Sequence, residues 1–160
     1  MIRPAEISDA AQIAAIYNGY VAASDATFDT EPVSAPDFAG RIREISAHCP
    51  FYVFDDCGKV AGYCHAHAWK QKAAYARTLE TTVYVAPDSV GRGIGEALVR
   101  ALVEECRRRG VRALVACITA GNAPSVRLHE KLGFVKVSHF RSVGEKFGRM
   151  LDVEDFELLL

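Results

Sequence analysis

The chain has 160 residues, half of them hydrophobic, and its 19 basic and 20 acidic side chains leave a net charge of −1. A chain of this length buries roughly two thirds of its unfolded surface, so its core needs no disulfide or metal. The composition excludes disordered, collagen-like and cysteine-scaffold proteins. Polar residues interrupt the first twenty positions, so we expect no signal peptide, no membrane partner and a cytoplasmic location.

The near-neutral total hides an uneven distribution of charge. Residues 1–50 carry three basic and seven acidic side chains, whereas residues 87–149 carry twelve basic and six acidic ones. A basic C-terminal half predicts an anionic ligand there. No internal repeat and no long linker divides the chain, so we predict one domain over residues 1–160.

The N-terminal half has signals for helices and for an antiparallel hairpin. A short strand near residues 2–3 precedes a helix that begins after Ser8, and a second helix begins after Ser34. Two apolar runs flank the turn at 56–58, Asp-Cys-Gly, which is typical of a hairpin between antiparallel strands.

The C-terminal half alternates strands and helices. We predict a strand over about 77–86, a helix over 93–109, a strand over 111–118, a helix after Asn122 and a strand from Phe134. This alternation predicts parallel βαβ units. Together with the antiparallel hairpin, it predicts a mixed α/β fold around a mixed sheet.

A glycine-rich turn at 89–95 connects the 77–86 strand to the helix that follows. Successive glycines let backbone N–H groups converge, and a helix N-terminus adds partial positive charge, so the turn predicts a phosphate or pyrophosphate site. A tight turn that binds nothing fits the glycines equally well. Glu96 follows the last glycine, which excludes both a Walker A loop and the dinucleotide-binding fingerprint.

The turn resembles the acyl-CoA-binding motif of the GNAT N-acetyltransferases, in which backbone amides hold the CoA pyrophosphate. Val90 stands where that family commonly has Arg or Gln. Residues 122–134 are similar to the family's second motif, whose first residue touches the pantetheine arm. The resemblance implies acetyl-CoA as cosubstrate and a mixed, mostly antiparallel central sheet flanked by helices. The cofactor-binding residues that it implies are Val83, Tyr84, Val85, Val90, Gly91, Arg92, Gly93, Ile94, Gly95, Asn122 and Ser125.

Over nearly the whole chain, further segments resemble the phosphinothricin and methionine sulfoximine acetyltransferases. This resemblance implies a homodimer and transfer to the α-amine of phosphinothricin, methionine sulfoximine or methionine sulfone in a ternary complex. Lys72 stands where the family commonly has Arg, and Asp29 where some members have Arg, both where an anionic acceptor would be bound. The acceptor-binding residues would be Phe28, Thr30, Glu31, Lys72, Tyr75 and Lys146.

Acetylation of an amine requires a base, because an aliphatic amine is mostly protonated at neutral pH. Glu80, at the start of the strand that leads into the glycine turn, is the predicted base; a charged residue at a solvated strand edge is the alternative. An oxyanion donor would come from a backbone N–H of strand 83–85 if a bulge exposes it. His129 stands where many relatives place a tyrosine acid, and it is either that acid or a hydrogen-bonded core histidine.

Other patterns are interpreted as structural. His65 and His67 share one strand face without a third ligand at a fitting spacing, and the five cysteines include no C-x-x-C pair, so we predict no metal. Arg107–Arg109 end a helix, where they complement the helix dipole, so we predict no nucleic-acid partner.

Two alternative functions stay open. One is acetylation of a protein N-terminus or a polyamine, which an open acidic groove would favour. The other is a non-catalytic acyl-CoA-binding module, which would bind CoA without releasing a thiol in the presence of any amine.

Overall fold

The computed structural model describes residues 1–160. None of its helices is both long enough and apolar enough to cross a bilayer. The strands are β1 (Ile2–Pro4), β2 (Phe51–Asp56), β3 (Lys59–Ala68), β4 (Thr78–Val85), β5 (Ala113–Thr119), β6 (Val135–Lys146) and β7 (Arg149–Leu159), and the helices are α1 (Ala10–Ala23), α2 (Ala35–Ser46), α3 (Ile94–Arg108) and α4 (Ala123–Lys131).

The seven strands form one sheet in the order β1-β2-β3-β4-β5-β7-β6. Only β4 and β5 pair in parallel, and all other neighbours are antiparallel. The predicted mixed, mostly antiparallel sheet is therefore confirmed. The sequence also predicted that the strands before and after α4, β5 and β6, would form a parallel unit. They are not neighbours in the sheet, because β7 lies between them and pairs antiparallel with both.

Local sequence signals account for the element boundaries. Cys57 and Gly58 form the two-residue β2–β3 turn with φ of 54° and 88°, a backbone that suits the twist of a hairpin. Ser34 caps α2, because its Oγ accepts a hydrogen bond from the Asp37 N–H at 3.2 Å. Both features agree with the sequence prediction.

Helices cover both faces of the sheet. On one face, α3 packs its apolar side, including Leu98 and Leu102, against Leu114 and Phe156 of the sheet. On the other face, α1 and α2 enclose a second cluster that includes Tyr63. These two cores hold β4 rigidly between them, and β4 carries the residues on which the candidate site depends.

The sheet opens in its middle. β4 and β5 pair from Thr78 as far as Thr81 opposite Ala116, after which β4 continues without a partner on that side. The β3–β4 register runs without interruption to Gly62 opposite Val85, so there is no bulge of the kind that the oxyanion hypothesis required. Divergence of two neighbouring strands creates the opening instead.

The divergence leaves backbone donors without strand partners. The Ala86 N–H donates to the Ala61 carbonyl across the β3–β4 ladder at 2.9 Å. Because N–H directions alternate along a strand, the N–H groups of Val83 and Val85 point away from β3 and into the gap.

Candidate active site

A cavity of about 870 Å³ fills the gap between β4 and β5. At one end it is bounded by the glycine turn and by the N-termini of α3 and α4. At the other end it is bounded by Glu80, by the C-terminal part of β5 and by the loop at 24–28. The cavity thus joins the predicted cofactor turn to the predicted base.

The glycine turn provides free backbone donors. Gly91 and Gly93 have φ of 83° and 75°, the left-handed region that favours glycine, and an added Cβ would meet no atom at either position. Gly93 is the N-cap of α3 and no side chain caps this helix, so its first N–H groups lack an internal partner. Such a terminus fits the pyrophosphate of acetyl-CoA.

The α4 N-terminus forms the facing side of this end. Asn122 caps α4 through its Oδ1, which accepts from the Ser125 N–H at 3.3 Å, so its amide NH₂ group is left for a ligand. All the predicted cofactor-binding residues line the cavity except Arg92. The Arg92 guanidinium instead forms an exposed ion pair with Asp56 at 2.9 Å.

The loop at 24–28 closes the other end, and side chains from the sheet hold its backbone. Thr119 Oγ1 on β5 donates to the Asp25 carbonyl at 2.6 Å, and Tyr84 Oη on β4 donates to the Ala26 carbonyl at 3.3 Å. Tyr20 Oη at the end of α1 donates to the Val85 carbonyl at 2.7 Å. These bonds fix the position of the loop relative to β4.

Lys146 anchors the same loop from the tip of the β6–β7 hairpin. Its Nζ donates to the carbonyls of Ser24 at 2.6 Å and Thr27 at 2.8 Å, and the side chain is only 4% exposed. Burial lowers the pKa of this ammonium group. The structure therefore places Lys146 behind the loop and outside the cavity lining.

The other predicted acceptor residues divide between the cavity and its surroundings. Phe28 lines the cavity, whereas Thr30, Glu31 and Lys72 are exposed and lie outside its lining. Tyr75 packs edge-to-face on Trp69, with ring centroids 5.3 Å apart. Four further residues line the cavity that no sequence motif could identify, because they lie on separate elements: Tyr20, Asp25, Cys117 and Thr119.

Glu80 is the one acid of the cavity lining that has no Lys or Arg partner. It lies in the middle of β4, on the face opposite Leu79 and Thr81, and burial raises the pKa of its carboxyl above the ordinary range. A raised pKa suits a group that accepts a proton near neutral pH. No Lys or Arg lies within ion-pair distance of Glu80, and its nearest basic neighbour is the His67 imidazole, with Nε2 3.9 Å from Oε2.

The other two carboxylates of the lining are paired with basic side chains. Asp25 pairs with Arg149 at 3.2 Å. Glu96 pairs with Lys131 at 2.6 Å and with Arg100 at 2.8 Å, both on the surface. No Lys or Arg side chain lines the cavity itself. The lining is therefore acidic or neutral throughout.

His129 lines the cavity from α4 and is 3% exposed. Its Nδ1–H donates to the Ser125 carbonyl at 2.8 Å, and its ring packs edge-to-face on Phe134. Burial lowers the pKa of the imidazole, so the ring is neutral at pH 7 and Nε2 carries no hydrogen. The core contacts agree with the second of the two roles considered for this residue.

Comparisons with known proteins agree with this geometry. Residues 2–154 match the family model described as the acetyltransferase (GNAT) domain. The L-methionine sulfoximine/L-methionine sulfone acetyltransferase of Pseudomonas paraeruginosa is 38% identical, over 99% of this chain and 94% of that protein.

Two solved structures share the whole fold. The protein yncA of Salmonella typhimurium, solved with its cofactor acetyl-CoA, has a TM-score of 0.97 and 35% identity, covering 100% of this chain and 93% of its own. A phosphinothricin acetyltransferase of Sinorhizobium meliloti, in complex with acetyl-CoA, has a TM-score of 0.96 and 33% identity, covering 100% and 88%.

Proposed function

Because the chain belongs to the GNAT family of acetyltransferases and is an acetyl-CoA-dependent N-acetyltransferase, we propose that it acetylates the α-amine of a small amino-acid-like acceptor. The candidate acceptors are those in the names of its relatives: methionine sulfoximine, methionine sulfone and phosphinothricin. The observation that carries the proposal is the position of Glu80, a carboxylate without a Lys or Arg partner in the cavity that begins at the glycine turn.

The charge of the lining favours the neutral acceptors among these three. Methionine sulfone and methionine sulfoximine carry no anion at the end of the side chain, whereas phosphinothricin carries a phosphinate. The lining offers this second anion no Lys or Arg, and Asp25 and Glu80 would repel it. We therefore rank the sulfone and sulfoximine above phosphinothricin, with the exposed Lys72 as the predicted partner of the acceptor carboxylate.

Glu80 acts in the proposed mechanism as the general base. When bound, acetyl-CoA supplies an activated acetyl thioester, and the backbone donors of Gly91, Gly93 and Ile94 would hold its pyrophosphate. The Glu80 carboxylate accepts a proton from the acceptor ammonium, directly or through a water, which frees the nitrogen lone pair for attack. Its raised pKa keeps it basic enough for this transfer.

The diverging part of β4 stabilises the charge that develops on the acetyl oxygen. The N–H groups of Val83 and Val85 point into the gap without strand partners, so they are available to donate to that oxygen. Their fixed direction along a packed strand makes them preorganised donors.

Departure of the CoA thiolate needs little help from an acid. A thiolate of this kind has a pKa of about 8.5, so it is a tolerable leaving group near neutral pH. His129 is neutral with a bare Nε2, so it acts as an acid only in its minor protonated form. We therefore expect His129 to contribute less to the rate of acetyl transfer than Glu80.

A second candidate function is acetylation of a polyamine or of a protein N-terminus. The acidic lining favours it, since Asp25 and Glu80 would attract a cationic chain and no basic side chain would repel it. If the chain were only a non-catalytic acyl-CoA-binding module, the Glu80 carboxylate in the cavity would have no role.

We also propose that the chain forms a homodimer. β6 is an edge strand of twelve residues, and free edges of this length are usually covered. Most of the exposed large apolar side chains lie on the β6–β7 hairpin: Val135, Val137, Phe140, Val143, Phe147, Met150 and Leu159.

We further propose that the protein works in the cytoplasm. Its five free cysteines suit a reducing compartment.

The deciding experiment is a thiol-release assay with acetyl-CoA and a panel of amines. We expect the highest kcat/KM with L-methionine sulfone and L-methionine sulfoximine, and a lower value with phosphinothricin. Turnover confined to spermidine or to peptides would establish the second candidate. CoA binding in calorimetry without thiol release from any amine would overturn both.

A further inference from the structure

His67 and Glu80 face each other across the β3–β4 ladder. They are direct partners in the antiparallel register, and Nε2 of the imidazole lies 3.9 Å from Oε2 of the carboxylate. Glu80 lines the cavity and His67 does not. The imidazole therefore approaches the carboxylate from beside the cavity rather than from within it.

The surroundings of the His67 ring decide where its hydrogen lies. Its Nδ1 is buried and has no hydrogen-bond partner, whereas Nε2 faces the Glu80 carboxylate. A buried N–H donor without an acceptor is rarer in proteins than an underused acceptor. We therefore assign the hydrogen of the neutral ring to Nε2, where it is attracted to the carboxylate.

We propose that His67 is a positioning residue: its Nε2–H, 3.9 Å from Oε2, attracts the Glu80 carboxylate electrostatically and keeps it oriented toward the acceptor amine. The inference rests on the proposed role of Glu80 as the base. It also gives a purpose to a histidine that the sequence pattern alone left as an ordinary strand residue.

The charges around Glu80 support this role. Burial raises the pKa of Glu80, His67 lowers it, and the Asp155 carboxylate on β7 raises it. On β5, desolvation raises the pKa of the Cys117 thiol to about 12, so this neighbour stays neutral. His67 is therefore the one group on the neighbouring strands that favours the ionised form of Glu80.

His65 has a different environment, although it lies on the same face of β3. It is opposite Thr82 in the register, and its ring packs on Phe51 with centroids 4.9 Å apart. Burial and the neighbouring charges of His67 and Arg41 lower its pKa to about 3, so it stays neutral. His65 offers a matched control on the same strand.

Replacement of His67 separates a positioning role from a structural one. We expect His67→Leu to lower kcat roughly tenfold and to move the acid limb of kcat/KM to higher pH, because the pKa of Glu80 rises when His67 is removed. His67→Gln, whose side-chain amide can donate in place of Nε2–H, should recover most of kcat. His65→Gln should leave the acid limb in place even if it lowers Tm.

Two further measurements keep the failures of the two proposals distinguishable. Long-range ¹H–¹⁵N NMR of the free protein should show the His67 hydrogen on Nε2, and the opposite tautomer would overturn the inference. In a Glu80→Gln background, His67→Leu should lower the rate no further, and an additional tenfold loss would show that His67 does not act through Glu80.

The single variants show which of the two proposals fails. Undiminished turnover by Glu80→Gln alone would refute the role of Glu80 as the base. A His67→Leu variant with the wild-type kcat and pH profile would refute only the positioning role.

Discussion

Phe28 lies against Gly144, so that a Cβ added to this glycine would come closer than 3.0 Å to three carbons of the ring. Phe28 lines the cavity from the loop at 24–28, and Gly144 lies in β6. Because Gly144 has no side chain, the Phe28 ring can pack directly on the backbone of β6. The β6–β7 hairpin therefore determines where the Phe28 wall of the cavity lies.

Gly144→Ala should displace the Phe28 ring. Because an added methyl group and the ring cannot both keep their positions, we expect a several-fold rise in acceptor KM. The loss in the free energy of unfolding should be small, up to about 1 kcal/mol, since the exposed Phe28 ring can move away. Steady-state kinetics and urea unfolding provide the measurements, and acetyl-CoA affinity should stay unchanged.

A second substitution tests the cause of that effect. Phe28→Ala removes the ring, so Gly144→Ala introduced into it should cost less stability than in the wild-type chain. An equal cost in both backgrounds would show that the methyl group clashes with something other than Phe28.

Glu80→Gln should remove the base and keep the shape of the side chain. We expect kcat to fall by roughly 10²–10⁴ and the acid limb of the pH profile to disappear, since that limb reports protonation of Glu80. Acetyl-CoA affinity, measured by calorimetry, should change little. Glu157→Gln on β7 alters a carboxylate outside the cavity lining and should retain wild-type turnover.

Gly93→Ala should weaken acetyl-CoA binding. At φ of 75° an alanine is strained by about 1 kcal/mol, and its methyl group would stand beside the N–H groups that we propose hold the pyrophosphate. Calorimetry should show at least a tenfold rise in Kd. Gly110, with φ of 77° and equally open space at the far end of α3, provides the control: Gly110→Ala should cost similar stability and leave Kd unchanged.

The sequence predicted the cofactor end of the site better than the acceptor end. The glycine turn and the segment that begins at Asn122 are local features, so their resemblance to the two motifs of a known family could be read from the sequence, and the family and the cosubstrate that this resemblance implied are confirmed. The four helices and the mixed sheet followed from hydrophobic periodicity in the same way.

The acceptor end depends on contacts between distant segments. Thr119 bonds Asp25 across 94 residues, and Lys146 bonds Ser24 across 122 residues, so no pattern within a segment could place them together. The position of β7 between β5 and β6 depends on long-range strand pairing for the same reason. The family resemblance implied that Lys146 binds the acceptor, whereas the fold shows that its ammonium group contacts the loop backbone.

Lys146→Met tests whether this side chain anchors the loop or binds an anion. Removing the ammonium leaves the Ser24 and Thr27 carbonyls without their donor, so we expect a loss of roughly 1–3 kcal/mol in the free energy of unfolding. Acceptor KM should rise by the same factor for methionine sulfone and phosphinothricin. A rise confined to phosphinothricin would instead support anion binding. Lys136→Met, which removes an exposed partner of Glu154, should alter neither selectivity nor KM.

Asp9 should make the stability of the domain depend on pH. Its carboxylate accepts two hydrogen bonds from the Arg3 guanidinium, both at 2.8 Å, and one from the Glu6 N–H at 2.8 Å, and it is 4% exposed. These bonds lower the pKa of Asp9 below its ordinary value, with the Arg3 contact as the largest cause. The stabilisation is therefore complete above the ordinary carboxyl range and is lost as pH falls through the lowered pKa.

Asp9→Asn should reduce the free energy of unfolding at pH 7 by about 2 kcal/mol, because the charged hydrogen bonds to Arg3 are lost. Urea unfolding at a series of pH values should show the difference from the wild-type chain shrinking as the pH is lowered, since the protonated aspartate no longer attracts Arg3 either. Asp88→Asn removes a fully exposed partner of Lys59 and should change stability little at any pH. A difference between Asp9→Asn and wild type that is constant from pH 7 to acid would show that packing, and not charge, accounts for the effect.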